Sequence, residues 1–184
     1  MKEKVGKRTR KVIMAGVGGK GVLLAGMLLA EAGMNHYKNV LWLPSYSTMV
    51  RGGPCECTVI LSDEEITSPT IFKAEAVIVM EPGQLATFEG RVEKGGRLIL
   101  EEQGSKGKVI REDIKVNYIP GVKTAVKIGD IRGANLVLLG AYIVLVKPLP
   151  SESVEEALER KFWGRWMLFD LNKKAFEEGL KLVR

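Results

Sequence analysis

The chain has 184 residues, 46% hydrophobic and 27% charged, which is typical of one globular domain with a core of its own. Two cysteines and one histidine argue against a disulfide scaffold, a four-cysteine iron–sulfur cluster and a multi-histidine metal site. The net charge is +6, but residues 1–11 alone carry +5, so the charge does not predict a nucleic-acid-binding surface.

The basic residues define an N-terminal tail, residues 1–10, ahead of a single domain, residues 11–184. Such a tail is either solvated or in contact with an acidic partner. The longest stretch without a charge, Gly133–Val146, has 14 residues and is too short to span a membrane. Val12–Val17 is followed at once by Gly18, Gly19 and Lys20, which does not fit a secretory signal. We therefore expect a cytoplasmic protein with reduced cysteines.

Short apolar strands alternate with helices along the chain. The expected strands are Lys11–Ala15, Val40–Leu43, Cys55–Leu61, Ala76–Met80, Arg97–Leu100 and Lys115–Ile119. The expected helices are Val22–Met34, Gly83–Lys94, Ala134–Val146, Ser153–Lys161 and Leu171–Val183. This alternation predicts an α/β fold with a mostly parallel sheet between helices, in which Cys55–Leu61 can add an antiparallel pair.

Two details of the helices add expectations. A capping box of Ser153 and Glu156 predicts the start of one helix, and Asp170 can cap the last one. The helix Ala134–Val146 is apolar on nearly all sides. It is therefore either central to the fold or covered by a partner.

A glycine-rich turn, Gly16-Val17-Gly18-Gly19-Lys20-Gly21, joins the first strand to the first helix. Its G-x-G-x-x-G spacing brings backbone amides and a helix N-terminus towards a phosphate, and Lys20 adds a positive charge. Residues 35–45 contain no acid to bind a ribose, which argues against NAD. The turn is either a tight connection without a ligand, or a site for another phosphate or a neighbouring chain.

The segment after the second strand, residues 44–54, is a second candidate site. It contains Pro44, Ser45, Tyr46, Arg51, Gly52 and Gly53. Its eleven residues predict a long loop, which is either functional or an ordinary surface loop. The hydroxyls, the aromatic ring and the flexible Gly-Gly pair favour function. The Arg51 guanidinium can bind a carboxylate or phosphate in a bidentate manner.

The cysteines and the histidine have simpler interpretations. Cys55 and Cys57 lie two apart on one strand face, as small buried residues do, and two ligands do not complete a metal site. His36 lies among polar residues and is expected to be exposed.

These motifs resemble the gamma subunit of the 2-oxoacid:ferredoxin oxidoreductases. The resemblance rests on residues 15–22, on Leu43–Tyr46 with Arg51–Gly53, on Ser62–Glu64 with Ile66–Pro69, and on residues 134–141. It covers the chain from about Lys11 onwards. Lys20 departs from it, since the family commonly has glutamine there.

The resemblance implies a Rossmann-like three-layer α/β/α sandwich in a complex that decarboxylates a 2-oxoacid and reduces ferredoxin, forming an acyl-CoA. Thiamine diphosphate and Mg would lie on the alpha and beta subunits, and the iron–sulfur clusters on the beta or delta subunits. This chain alone would bind no cofactor. The resemblance leaves open whether it shares CoA with the partner subunits. The residues 44–53 look more like the 2-oxoglutarate branch, while branched-chain 2-oxoacids and indolepyruvate remain open.

Two alternatives are a free-standing nucleotide-binding oxidoreductase and a purely structural subunit. The isolated chain is expected to be inactive and to homodimerise through its apolar helices. Because both candidate segments follow what we take to be neighbouring strands, we expect them to meet at one sheet edge. Lys20 and Arg51 would be the charges there, with the amides of Gly18, Gly19 and Gly21 as donors.

Overall fold

Six strands form one sheet in a computed structural model, which describes residues 8–46, 52–105 and 108–183. The strands are β1 (Thr9–Val17), β2 (Asn39–Tyr46), β3 (Pro54–Ser62), β4 (Ala74–Val79), β5 (Val92–Glu101) and β6 (Lys115–Ile119). Their order across the sheet is β2-β3-β1-β4-β5-β6.

Five of the six strands run in the same direction. β1, β4, β5 and β6 pair in parallel, whereas β3 is antiparallel to both β1 and β2. The mostly parallel sheet is confirmed, and so is an antiparallel strand at Cys55–Leu61. The expectation that β1 and β2 are neighbours is wrong, because the chain returns directly along β2 as β3, which lies between them.

The helices are α1 (Val22–Gly33), α2 (Leu85–Phe88), α3 (Gly121–Ile128), α4 (Ala134–Val146), α5 (Ser151–Lys161) and α6 (Trp166–Lys181). Short 3-10 turns at Pro82–Gln84 and Glu89–Arg91 flank α2. Side chains of α1, α4, α5 and α6 share one core with Val12 and Met14 of β1. On the opposite face, Ile13 and Ala15 pack against Leu85 and Phe88, so the third layer is thin there.

α4 is the central helix of the thick layer. Asn135 through Ile143 are all buried, and two glycines bring α4 close to α6. A Cβ on Gly140 would lie 2.9 Å from the Leu180 nitrogen, and one on Gly179 would lie 2.9 Å from the Val137 carbonyl carbon. The apolar surface of α4 is therefore covered within the chain, which decides between the two interpretations of this helix.

The N-terminal boundary differs slightly from the expected tail. Thr9 and Arg10 belong to β1, and Arg10 pairs with Glu75 at 3.0 Å. Arg8 pairs with Asp63 at 3.3 Å. The division into a tail of residues 1–10 and one domain stays a prediction, and residues 1–7 lie outside the described residues.

Two helices differ from expectation because local signals compete. The helix expected over Gly83–Lys94 ends early, since the β-branched Val92 already pairs with Ala74 of β4 as the first residue of β5. The expected elements do not include α3, which has only eight residues. It follows Pro120 and ends at Gly129, whose φ of 108° gives a left-handed C-cap.

The expected helix caps are wrong. Ser153 lies inside α5, which begins after Pro150, and its hydroxyl instead forms a hydrogen bond of 2.6 Å with His36 Nε2. His36 is accordingly half-buried rather than exposed. Asp170 lies inside α6, because the apolar residues after Trp166 extend that helix towards the N-terminus. Across the described residues, no helix is long and apolar enough to cross a bilayer.

Candidate functional site

The glycine-rich turn lies where β1 ends, at the carboxyl edge of the parallel strands. Lys20 N donates to the Val17 carbonyl at 3.1 Å and closes the turn. Gly19 has a φ of 94°, a left-handed conformation that favours glycine. A Cβ on Gly19 would meet nothing within 4 Å, so the open side of the turn is at Gly19.

The first and last glycines of the motif serve packing instead. A Cβ on Gly16 would lie 2.8 Å from Val22 Cγ2, so glycine lets α1 approach β1 closely. Gly21, with a φ of 73°, lies directly against the side chain of Asn135 in α4. Asn135 Nδ2 donates to the Gly21 carbonyl at 2.9 Å. These contacts account for Gly16 and Gly21 without a ligand.

The N-terminus of α1 points to the same edge without a side-chain cap or an acid in its first turn. Ala25 N is bonded to the Gly21 carbonyl at 3.1 Å, which leaves the preceding N–H groups of Val22, Leu23 and Leu24 outside the helical ladder. Free N–H groups and the helix dipole favour a negative charge at this position.

Lys20 forms an ion pair with Glu81, at 3.2 Å between Lys20 Nζ and Glu81 Oε2. Glu81 lies two residues after the end of β4. Between them, Met80 donates its N–H to the Ala15 carbonyl at 2.8 Å. The lysine is thus not a free charge. An anion at this edge would compete with the Glu81 carboxylate for it.

The second candidate segment reaches the glycine turn only at its end. Gly18 N donates to the Gly53 carbonyl at 2.9 Å, and the adjacent Gly52 is exposed with a φ of 78°. The structure therefore joins the two segments at this point, although β1 and β2 are not neighbours.

Three other residues of that segment lie in a strand instead of the expected long loop. Pro44, Ser45 and Tyr46 continue β2 and pair with Cys57, Glu56 and Cys55 of β3. The edge position of β2 tolerates Pro44, which lacks an N–H donor. Arg51 lies outside the described residues.

Sequence reasoning missed the roles of Glu101 and Asn135, which are buried close to this edge. Glu101 accepts hydrogen bonds from Gln103 N at 3.2 Å and Val122 N at 2.9 Å, and so fixes the start of α3. Burial raises the pKa of Glu101 above the ordinary carboxyl value. The sequence contains a signal for each residue. Glu101 is an acid at the end of an apolar strand, and Asn135 is an asparagine within an otherwise apolar helix.

The two thiols are unsuited to chemistry at this edge. Cys55 and Cys57 are buried and free, as expected. Burial raises the pKa of Cys57 to about 12, so its reactive thiolate is not populated near neutral pH. Within the described part of the chain, no group of three or more potential ligands could hold a metal ion.

The geometry suits binding of an anionic group more than bond-making.

A family model described as pyruvate ferredoxin/flavodoxin oxidoreductase matches residues 11–182.

Two relatives extend this comparison. The chain is 30% identical over 178 residues to the ketoisovalerate oxidoreductase subunit VorA of Methanothermobacter marburgensis, covering 96% of this chain but 37% of the relative. It therefore spans little more than a third of that relative's length. It is also 30% identical over 182 residues to the 2-oxoglutarate synthase subunit KorC of the same organism, covering 95% of this chain and 96% of the relative.

Solved structures have the same fold. The gamma subunit of a keto/oxoacid ferredoxin oxidoreductase from Geobacter sulfurreducens is 25% identical, with a TM-score of 0.81 over 95% of this chain and 98% of that chain. The 2-oxoglutarate:ferredoxin oxidoreductase of Magnetococcus marinus, with 2-oxoglutarate, coenzyme A and succinyl-CoA bound, is 21% identical. Its TM-score is 0.85 over 96% of this chain and 31% of that chain, which shows likeness of fold alone.

Proposed function

The chain belongs to the pyruvate ferredoxin/flavodoxin oxidoreductase family, and from that membership we propose that it is the gamma subunit of a 2-oxoacid:ferredoxin oxidoreductase complex. The complex decarboxylates a 2-oxoacid oxidatively, forms its acyl-CoA and passes the electrons to ferredoxin. The observation that carries the proposal is the match to a KorC subunit over 96% of that relative's own length.

The cofactors of the reaction belong to the alpha, beta and delta partners in this proposal. An iron–sulfur cluster of the common type needs about four cysteine ligands, and this chain has two, both buried within one strand. We assign thiamine diphosphate and Mg to the partner subunits, as we do the iron–sulfur clusters. This chain then contributes shape and an anion-binding edge.

We place the phosphates of CoA at the carboxyl edge. Gly19 is open to that side, the N-terminus of α1 is uncapped, and the bond from Gly18 to Gly53 holds both segments together. Lys20 is the first cation of this site, and Arg51 is the second on the strength of the sequence. When the phosphate binds, Lys20 exchanges part of its contact with Glu81 for the ligand.

Paired variants of Lys20 and Glu81 test this site. In the reconstituted complex, Lys20→Ala removes a charge-assisted contact worth about 1.5–3 kcal/mol, so the KM for CoA should rise about ten- to a hundredfold. Arg51→Ala should act in the same direction. Glu81→Gln releases Lys20 from its competitor, so the KM for CoA should fall. The measurement is initial rate against CoA concentration at saturating 2-oxoacid.

A purely structural subunit is the second candidate, favoured by the packing roles of Gly16 and Gly21 and by the pairing of Lys20 with Glu81. If the lysine serves only that ion pair, Lys20→Ala and Glu81→Gln lose the same interaction. Both variants would then leave the KM for CoA unchanged and lower stability alike. Opposite effects on the KM would exclude this candidate.

The free-standing nucleotide-binding oxidoreductase is the weakest alternative, because residues 35–45 supply no acid for a ribose. Titration of the purified chain with NAD(H) or NADP(H) should show no binding.

For the substrate we propose 2-oxoglutarate, supported by the sequence of residues 44–53 and by the KorC match. The VorA match makes ketoisovalerate the competing substrate, so both belong in the assay.

A further inference from the structure

Three large apolar side chains are exposed where α5 turns into α6. Trp163 is 72% exposed, Trp166 is 54% exposed and Met167 is 78% exposed. We call these three residues the aromatic patch. Single exposed apolar residues are normal, but such side chains grouped together mark interaction sites.

The rings of the patch are held in place before any partner binds. Trp163 and Trp166 meet edge to face, with ring centroids 5.7 Å apart and an interplanar angle of 61°. Trp166 in turn contacts Phe169 edge to face at 6.3 Å, and Phe169 packs against the main core. A partner therefore meets aromatic side chains whose ordering cost is already small, as in binding hot spots.

The stretch of chain that carries the patch is positively charged, with acids flanking it at Glu159 and Asp170. Residues 160–167 contain Arg160, Lys161 and Arg165 and no acid. Arg160 pairs with Glu31 at 2.7 Å. Lys161 and Arg165 have no acidic partner among the residues that the structure describes. Their charges are left for a partner that carries carboxylates.

A membrane surface fits the patch poorly. One turn after Trp166 and Met167, the same side of α6 carries Asp170 and then Lys174, both exposed. A helix that lies on a bilayer needs a long apolar face, and this one ends within a turn. A second copy also fits poorly, because a two-fold interface centred here would bring the basic residues of both copies together.

We propose that the aromatic patch, with Lys161 and Arg165, docks an acidic surface of a partner subunit within the oxidoreductase complex. The inference rests on the proposed function, because it takes its partner from that complex. Carboxylates of the partner pair with Lys161 and Arg165, while its apolar side chains pack between Trp163, Trp166 and Met167.

The test measures the affinity of this chain for its partner subunits. The partner subunits are expressed together in the absence of this chain and are then immobilised. Trp166→Ser combined with Met167→Ser should weaken binding about 30-fold or more, the range of a central aromatic anchor. Arg165→Glu should weaken it about tenfold at low salt, and the difference should shrink as ionic strength rises. Phe72→Ser is the matched control, because Phe72 is 86% exposed and precedes β4 instead of belonging to α5, α6 or the turn between them.

The outcomes separate the two proposals. If wild-type chain does not bind the partner subunits at all, the proposed function fails and this inference with it. If wild-type chain binds and the patch variants bind equally well, only the docking inference is overturned. It is also overturned if the variants lose only self-association in sedimentation equilibrium, or only binding to phosphatidylserine vesicles. Circular dichroism of each variant confirms that it remains folded.

Discussion

Glu101 joins two elements at the candidate site through one buried carboxyl group. Its Oε1 accepts from Gln103 N, just after β5, and its Oε2 accepts from Val122 N, where it replaces the missing capping residue at the start of α3. Burial raises the pKa of this carboxyl group, while both N–H donors act in the opposite direction. An acid with a raised pKa binds its proton more tightly in the folded protein than in the unfolded chain. Its contribution to stability is therefore present at acid pH and lost as the pH rises.

This sign gives a pH prediction for Glu101→Gln. We compare the free energy of unfolding of the wild type with that of the variant. The wild-type value minus the variant value should decrease as the pH rises. The decrease should begin at about pH 4, near the pKa of glutamate in the unfolded chain, and continue through the higher pKa of the folded protein. Urea unfolding of both proteins at several pH values measures this difference. A difference that increases with pH would mean that the N–H donors outweigh burial.

Residues such as Glu101 and Asn135 mark where sequence reasoning about the site stops. The glycine spacing correctly predicts a tight turn between β1 and α1, because that depends on adjacent residues. The pairing of Lys20 with Glu81 and of Gly21 with Asn135 depends on residues 61 and 114 positions further along the chain. No local pattern encodes those distances.

At the scale of elements, contact between α4 and α6 depends on glycine. A Cβ on Gly179 would lie 2.9 Å from the carbonyl carbon of Val137, and backbone atoms there cannot turn aside as a side chain can. The helices would have to separate, with loss of packing around buried Phe176 and Leu180.

Gly179→Ala should therefore lower the free energy of unfolding by about 1–3 kcal/mol, the range for overpacking a core. Chemical denaturation measures the loss. Gly90→Ala is the control, because Gly90 is exposed and a Cβ there would meet nothing within 4 Å. An equal change in both variants would remove the packing explanation.

Elements with strong, uninterrupted patterns are predictable from the sequence. The bounds of β6 and α4 agree with expectation, because both lie between clear breaks. The helix expected to start at Gly83 and the cap expected at Ser153 fail because tertiary pairing overrides local preference, through Val92 with Ala74 and Ser153 with His36. The apolar residues of β3 predict a buried strand, but they do not determine whether it runs parallel or antiparallel to its neighbours.

At the scale of the whole molecule, burial of α4 changes the argument for assembly. The apolar surface of that helix is covered by α6 within the chain, so it no longer indicates a partner. The remaining support for a hetero-oligomer comes from family membership and from the aromatic patch. Homodimerisation of the isolated chain stays a prediction, and sedimentation equilibrium of the purified chain measures it.

The most direct test of the gamma-subunit assignment is reconstitution of the complex with and without this chain. Partner subunits with and without it are assayed for ferredoxin reduction that depends on both CoA and a 2-oxoacid, using 2-oxoglutarate, ketoisovalerate and pyruvate. We predict that the isolated chain is inactive, that the chain copurifies with the partners, and that only the complete complex shows full turnover, fastest with 2-oxoglutarate. Acyl-CoA formation by the chain alone, or full activity and assembly of the partners without it, would contradict the assignment.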